Sequence, residues 1–202
     1  MSFKLVFIDD NMHEGIDTPF VRAIGKLQND AELAVFQDPQ LGLQYVLDNL
    51  NSKMIVFLDY KFDGYGLQGI NVLKQIREKT SLLYIVMMSV NSINQFAAAD
   101  IIEMINEDYI WFFDRNNGTM QDASTLIDKI KHLWDVRFDC ILEQWLLRHP
   151  EDNNKEAYSE LGGKTYTWED ILVELRMQTP VGKAFEGKLN EFYIYQLNRS
   201  KK

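Results

Sequence analysis

A doubly wound α/β domain is the fold class predicted by the first two-thirds of this 202-residue chain. Three observations predict it. Short apolar runs recur, among them Phe3-Lys4-Leu5-Val6-Phe7-Ile8 and Met54-Ile55-Val56-Phe57-Leu58. Runs of this kind read as strands buried on both faces, as in a parallel sheet. Segments of helical period separate the runs, the alternation expected of right-handed crossovers that put helices on both faces. Two of the runs end in acid, Asp9-Asp10 after the first and Asp59 after the second. In open parallel sheets ligand chemistry gathers at the carboxyl ends of the strands.

In chain order, the first strand is followed by an amphipathic segment over residues 15–29, with Phe20, Ile24 and Leu27 on one stripe. Residues 32–37 form a second short strand, and residues 41–50 a helix with Leu43, Val46, Leu47 and Leu50 apolar. The third strand, 54–58, leads to a helix over 68–79 with Ile70, Leu73 and Ile76 inward. A fourth strand over 82–88, a helix over 93–105 capped by Asn91 or Ser92, and a fifth strand over 109–113 complete the pattern. A long helix is then expected over residues 121–148, because Ile127, Ile130, Trp134, Phe138, Ile141 and Trp145 recur at steps of three and four. It would span about 42 Å, more than a five-stranded sheet needs. Its distal aromatic face must therefore be covered by the C-terminal segment or by a second subunit. After a polar break at 150–154, Thr167 caps a helix over 168–177 with Asp170 in the capping-box position. Thr179-Pro180 then starts a helix running to about 198. The organisation expected is a domain over 1–135, an extended last helix or connector over 121–150, and a helical unit over 155–202.

Composition excludes several classes. An apolar fraction of 46% supports a real core. The net charge of −9 lies mostly in residues 1–150, with 21 acidic against 13 basic side chains, which argues against a nucleic-acid footprint. The lone Cys140 precludes an internal disulfide and fits a reducing compartment. Acid arrives at Asp9, too soon for a secretory signal, and no apolar run approaches the roughly 20 residues of a membrane span. A cytoplasmic location is expected. Three clustered carboxylates, Asp9, Asp10 and Asp59, repel one another unless a cation compensates them, and oxygen-only ligands on an open rim suit hydrated Mg²⁺.

With these features in place, residues 1 to about 135 resemble the receiver domain of bacterial two-component response regulators. The resemblance rests on an ordered set: Asp9-Asp10 after strand one, Asp59 after strand three, Ser89 after strand four, and Phe-Phe-Asp-Arg (112–115) after strand five. It implies the flavodoxin-like strand order 2-1-3-4-5. It further implies that Asp59 accepts a phosphoryl group, and that Asp9, Asp10, Asp59 and the Lys61 backbone carbonyl hold Mg²⁺. Ser89 would bond a phosphoryl oxygen, Phe112 would act as an aromatic switch, and a sensor histidine kinase or phosphotransfer protein would be the phosphodonor. The family usually has lysine after strand five. Arg115 keeps that charge on a larger planar group, whereas Asp114 in the same place would repel phosphate. The loop from Asp59 to Gly69 is about two residues longer than usual and lacks the common proline.

Three functions compete on this reading. The first is a phosphorylation-regulated switch that acts through homodimerisation or intramolecular docking on the long last helix, with protein binding ahead of DNA binding as its output. The second is a pseudo-receiver that is never phosphorylated. The third is a phosphohydrolase. Haloacid-dehalogenase-like enzymes need Asp-x-Asp after strand one, and the residues here are Asp9-Asp10-Asn11, so the chain is expected not to be an enzyme. Gly162-Gly163-Lys164-Thr165 lacks the upstream glycine of a P-loop.

Overall fold

The computed structural model describes residues 3–12, 18–90, 93–160 and 162–199. They form two compact units, Met1–His132 and Leu133–Lys202. The first unit holds β1 (Phe3–Ile8), α1 (Pro19–Leu27), β2 (Ala31–Phe36), α2 (Pro39–Asp48), β3 (Met54–Asp59), α3 (Gly69–Arg77), β4 (Tyr84–Ser89), α4 (Ala98–Asn106) and β5 (Ile110–Asp114). All five strands pair in parallel in the order β2-β1-β3-β4-β5. This is the doubly wound class expected from the apolar runs, in the flavodoxin-like order that the receiver resemblance implied.

Alternation along the strands sends side chains to two layers. Val6, Ile8, Val56, Leu58, Ile85 and Met87 pack with Leu43, Val46, Leu73 and Ile76 of α2 and α3. The opposite parity carries Phe7, stacked on Phe57 at 5.0 Å and set edge-on to Phe20 of α1 at 6.1 Å. In α1 the inward residues are Val21 and Ile24, while Leu27, expected on the same stripe, is exposed. The helix expected over 93–105 is a 3-10 turn at Ile93–Gln95 followed by α4. The caps proposed at Asn91 and Ser92, and the start of the amphipathic segment before Thr18, lie outside the described residues.

The stretch expected as one helix over 121–148 is two, α5 (Met120–Trp134) and α6 (Phe138–Arg148). Arg137 stands between them in extended backbone, with φ −81° and ψ 135°. Its guanidinium forks onto the buried Asp139 through Nε at 3.0 Å and Nη2 at 3.1 Å. That local pairing holds the residue at the mouth of α6 rather than inside a continuous helix. The break shifts the phase of the apolar stripe. Leu142 and Leu146 are the buried face of α6, whereas Ile141 and Trp145, expected on it, are exposed.

The second unit contains a two-stranded antiparallel hairpin that the helical periodicity did not reveal, β6 (Glu156–Ser159) and β7 (Thr165–Thr167). Gly162 and Gly163 in its turn have φ of +136° and +105°, conformations that favour glycine. α7 (Trp168–Arg176) starts with the expected reciprocal capping box between Thr167 and Asp170. α8 (Pro180–Arg199) follows. Leu142, Leu146, Tyr166, Ile171, Leu175 and Phe185 form the core. Packing between α7 and α8 ends near Leu189, and Phe192 and Tyr195 beyond it are 53% and 58% exposed. Among the described residues no helix is long and apolar enough to cross a membrane.

Candidate functional site

The parallel topology delivers four strand ends to one edge of the sheet. Asp9 follows β1, Asp59 closes β3, Ser89 closes β4, and Asp114 closes β5 in register with Ser89. Asp9, Asp59 and Ser89 are buried, and Asp10 is half-buried. Asp9, Asp10 and Asp59 each offer a carboxylate oxygen, and these oxygens lie within 4.8 Å of one another.

Main-chain amides hold the three carboxylates in place. Asn11 N–H donates to Asp9 Oδ1 at 2.8 Å, Asp63 N–H to Asp10 Oδ2 at 2.8 Å, and Tyr60 N–H to Asp59 Oδ1 at 2.9 Å. The loop after Asp59 is braced by one side chain. Gln68 accepts from Phe62 N–H at 3.0 Å and donates to the Phe62 and Tyr65 carbonyls, each at 2.9 Å. Gly69 then passes so close to the strand end that a Cβ there would lie 2.0 Å from the Asp59 carbonyl oxygen. Lys61 sits in this loop with its ammonium 3.0 Å from Asp63 Oδ1, and its carbonyl takes part in no hydrogen bond among the described residues.

The electrostatics are those of crowded, desolvated acids. Burial pushes the Asp59 carboxyl up to about 7, with the Asp9 charge adding to it and Arg115 opposing it. Burial raises Asp9 as well, against the attraction of Arg115. The Arg115 guanidinium is ion-paired through Nη1 to Asp9 Oδ2. Asp114 turns instead onto its own loop, accepting from Asn116 N–H at 2.9 Å and from Asn117 Nδ2 at 2.8 Å. The Asn117 side chain and the Asn116 amide hold its carboxyl below the usual range. Of the two candidates after strand five, Arg115 is the one joined to the acidic cluster.

Three carboxylates against one guanidinium leave the cluster short of positive charge. All-oxygen donors at this spacing fit a hard divalent cation. Phe112 is half-buried and meets Phe96 edge-on at 5.6 Å. One participant was not legible in the sequence, because no motif spacing marks it. The ring of Tyr60, next to Asp59, stacks on Phe96 at 3.9 Å, and its hydroxyl donates to Asp100 Oδ2 at 2.7 Å.

No family model matches the chain, and no curated protein does. Similar solved structures include a response regulator receiver domain protein from Clostridium thermocellum, 20% identical with a TM-score of 0.45, covering 72% of this chain and 98% of that one. The receiver domain of NtrX from Brucella abortus is 21% identical with a TM-score of 0.46, over 62% of this chain and 94% of that one. The BeF3-activated DrrB receiver domain is 14% identical with a TM-score of 0.48, over 65% and 99%. The strand order of the first unit is itself that of the flavodoxin-like fold to which receiver domains belong.

Proposed function

We propose that the first unit is a phosphorylation-regulated switch of a two-component or phosphorelay system, with Asp59 as the phosphoryl acceptor. One observation carries this reading: three carboxylates and a paired arginine converge at the carboxyl edge of a 2-1-3-4-5 sheet. Asp9, Asp10, Asp59 and the Lys61 carbonyl would hold Mg²⁺, which when bound supplies charge neutralisation for a transferring phosphoryl group. The chain's own groups do the rest. An Asp59 carboxylate oxygen attacks phosphorus. The bond to the donor breaks, P–N for a phospho-imidazole or P–O for a small acyl phosphate, and its electron pair leaves with the donor. Arg115, already anchored on Asp9, faces the charge that arrives, and Ser89 donates to a phosphoryl oxygen. The partner on this reading is a sensor histidine kinase or a phosphotransfer protein. The second unit, nearly neutral and helical with one hairpin, serves as a protein-binding output rather than an enzyme.

Incubation with acetyl phosphate and Mg²⁺, followed by intact-mass measurement, is expected to show one base-labile phosphate per chain. Absence of that label at saturating phosphodonor overturns the reading in favour of an interaction module that is never phosphorylated. Arg115→Ala is expected to slow labelling on the order of 10²-fold, the scale of losing one preorganised donor to a transition state. Arg115→Lys is expected to recover part of the loss. Equal rates in Arg115→Ala and wild type would remove Arg115 from the transfer step.

A further inference from the structure

We propose that Tyr60 and Asp100 form a latch that clamps α4 in the resting state, and that a phosphoryl group on Asp59 opens it. The opening half rests on the acceptor role proposed for Asp59; the resting half does not.

Tyr60 is tied to the acceptor at one end and to α4 at the other. Its N–H lies 2.9 Å from Asp59 Oδ1 and 2.9 Å from the Met88 carbonyl, so its backbone is pinned between the acceptor and the end of β4. Its ring lies nearly parallel to that of the buried Phe96, 8° apart at 3.9 Å. Its hydroxyl donates to Asp100 Oδ2 at 2.7 Å, a charge-assisted bond to the first turn of α4. Ala97 is the N-cap of α4 and has no side chain able to cap. The Tyr60 hydroxyl therefore ties the first turn of α4 to the residue that follows the acceptor.

α4 has few other anchors: Ile101 packs half-buried on the core, and Glu103 Oε2 lies 3.5 Å from Lys74 Nζ. Met104 is its one buried residue, and Ile102 and Ile105 are 59% and 75% exposed. An element with so little burial sits at the low end of local stability, where a single good hydrogen bond decides between closed and open. Phosphorylation changes the Tyr60 anchor directly. The Asp59 carboxylate becomes an acyl phosphate, one of its oxygens becomes the bridging atom, and a group of about −2 charge with new acceptor oxygens stands beside the Tyr60 amide. A bond of 2.7 Å weakens steeply as it stretches or bends, so a displacement of Tyr60 breaks the contact with Asp100. This coupling runs through the residue after the acceptor and is separate from Ser89 and Phe112.

Hydrogen exchange of the α4 amides tests both halves on the full chain. In the resting protein, Tyr60→Phe keeps the ring and loses the hydroxyl, and Asp100→Asn keeps the shape and loses the charge. Both are expected to raise α4 exchange about tenfold, the scale of one lost hydrogen bond to a charged group. Beryllofluoride with Mg²⁺ is expected to raise α4 exchange similarly in wild type and to add less than about twofold in Tyr60→Phe. Resting exchange in Tyr60→Phe equal to wild type overturns the latch. Greater protection of α4 in wild type on adding beryllofluoride overturns its opening. Fluorine NMR reports whether the mimic binds at all. Failure to bind overturns the acceptor reading and with it the opening step, while the resting comparison still decides the latch.

Discussion

Asp59→Asn is expected to abolish phosphate uptake from acetyl phosphate and, in protein stripped of divalent ions, to raise the thermal midpoint more at pH 8 than at pH 5. The first effect follows from removing the attacking oxygen. Label in the variant at the wild-type level would end the acceptor assignment. The second follows from linkage. Burial beside Asp9 pushes Asp59 up to about 7 in the folded protein, against an ordinary value of 3.8. Its favourable contribution is therefore complete below the unfolded value and is lost as pH rises towards the folded one. Between those values the unfolded chain releases this proton and the native chain keeps it, so stability falls by up to about 1.4 kcal/mol per pH unit. Above about 7 the loss is complete. Asparagine does not titrate, so its advantage grows through that window and then levels. A variant whose midpoint tracks wild type at every pH would show that Asp59 ionises freely in the folded state.

Asp139→Asn is expected to cost the second unit about 3 kcal/mol, read from urea unfolding followed by tryptophan fluorescence and circular dichroism. Asp139 is 5% exposed. It accepts the Arg137 fork and also Arg176 Nε at 3.2 Å, while Arg176 Nη2 reaches Glu143 Oε1 at 2.9 Å. Arg176 is itself 6% exposed. A neutral amide at 139 withdraws the carboxylate that both guanidinium groups share, and a buried charge deprived of its partner is among the largest single-residue costs in a fold. The wild-type pH profile follows with its sign. Burial alone would raise Asp139, but Arg137 and Arg176 outweigh it and hold the carboxyl below the usual range. The stability it contributes is present above the ordinary aspartate value and is lost as pH falls through the depressed one. An unchanged urea midpoint in the variant would make the cluster incidental to folding.

The sheet was legible because burial on both faces leaves unbroken apolar runs, and the site because the acids punctuating those runs must share an edge once the strands are parallel. Asp9 and Asp59 needed no more than that rule, while Ser89 was marked only by the receiver resemblance. The split between α5 and α6 was not legible. It contains neither glycine nor proline, and the pairing of Arg137 with Asp139 competes with helix only once Arg176 arrives from 37 residues away. The hairpin was missed because its strands are four and three residues long, too short to display a period. Leu27 and Trp145 show the limit of stripe counting. Each sits at helical spacing from its neighbours, yet partners elsewhere in the chain decide which edge of an apolar stripe is covered. Tyr60 escaped for a related reason: its partners Phe96 and Asp100 lie 36 and 40 residues on, and no local pattern announces them.

The contact at Gly69 gives the acceptor loop a property of its own. Residues 60–68 leave the sheet and return to a point where no side chain fits, with the Gln68 amide stitching the excursion shut before α3 begins. Both ends of the loop are thus mechanically grounded within a few ångströms of Asp59. What lies between them is a replaceable cassette. The exposed side chains of Asp63 and Tyr65 can be exchanged while the Asp63 amide keeps its hold on Asp10, whereas the single hydrogen-to-methyl exchange at Gly69 reaches the acceptor at once. Over generations, the side chains that greet a partner can drift while the chemistry beneath them stays in register.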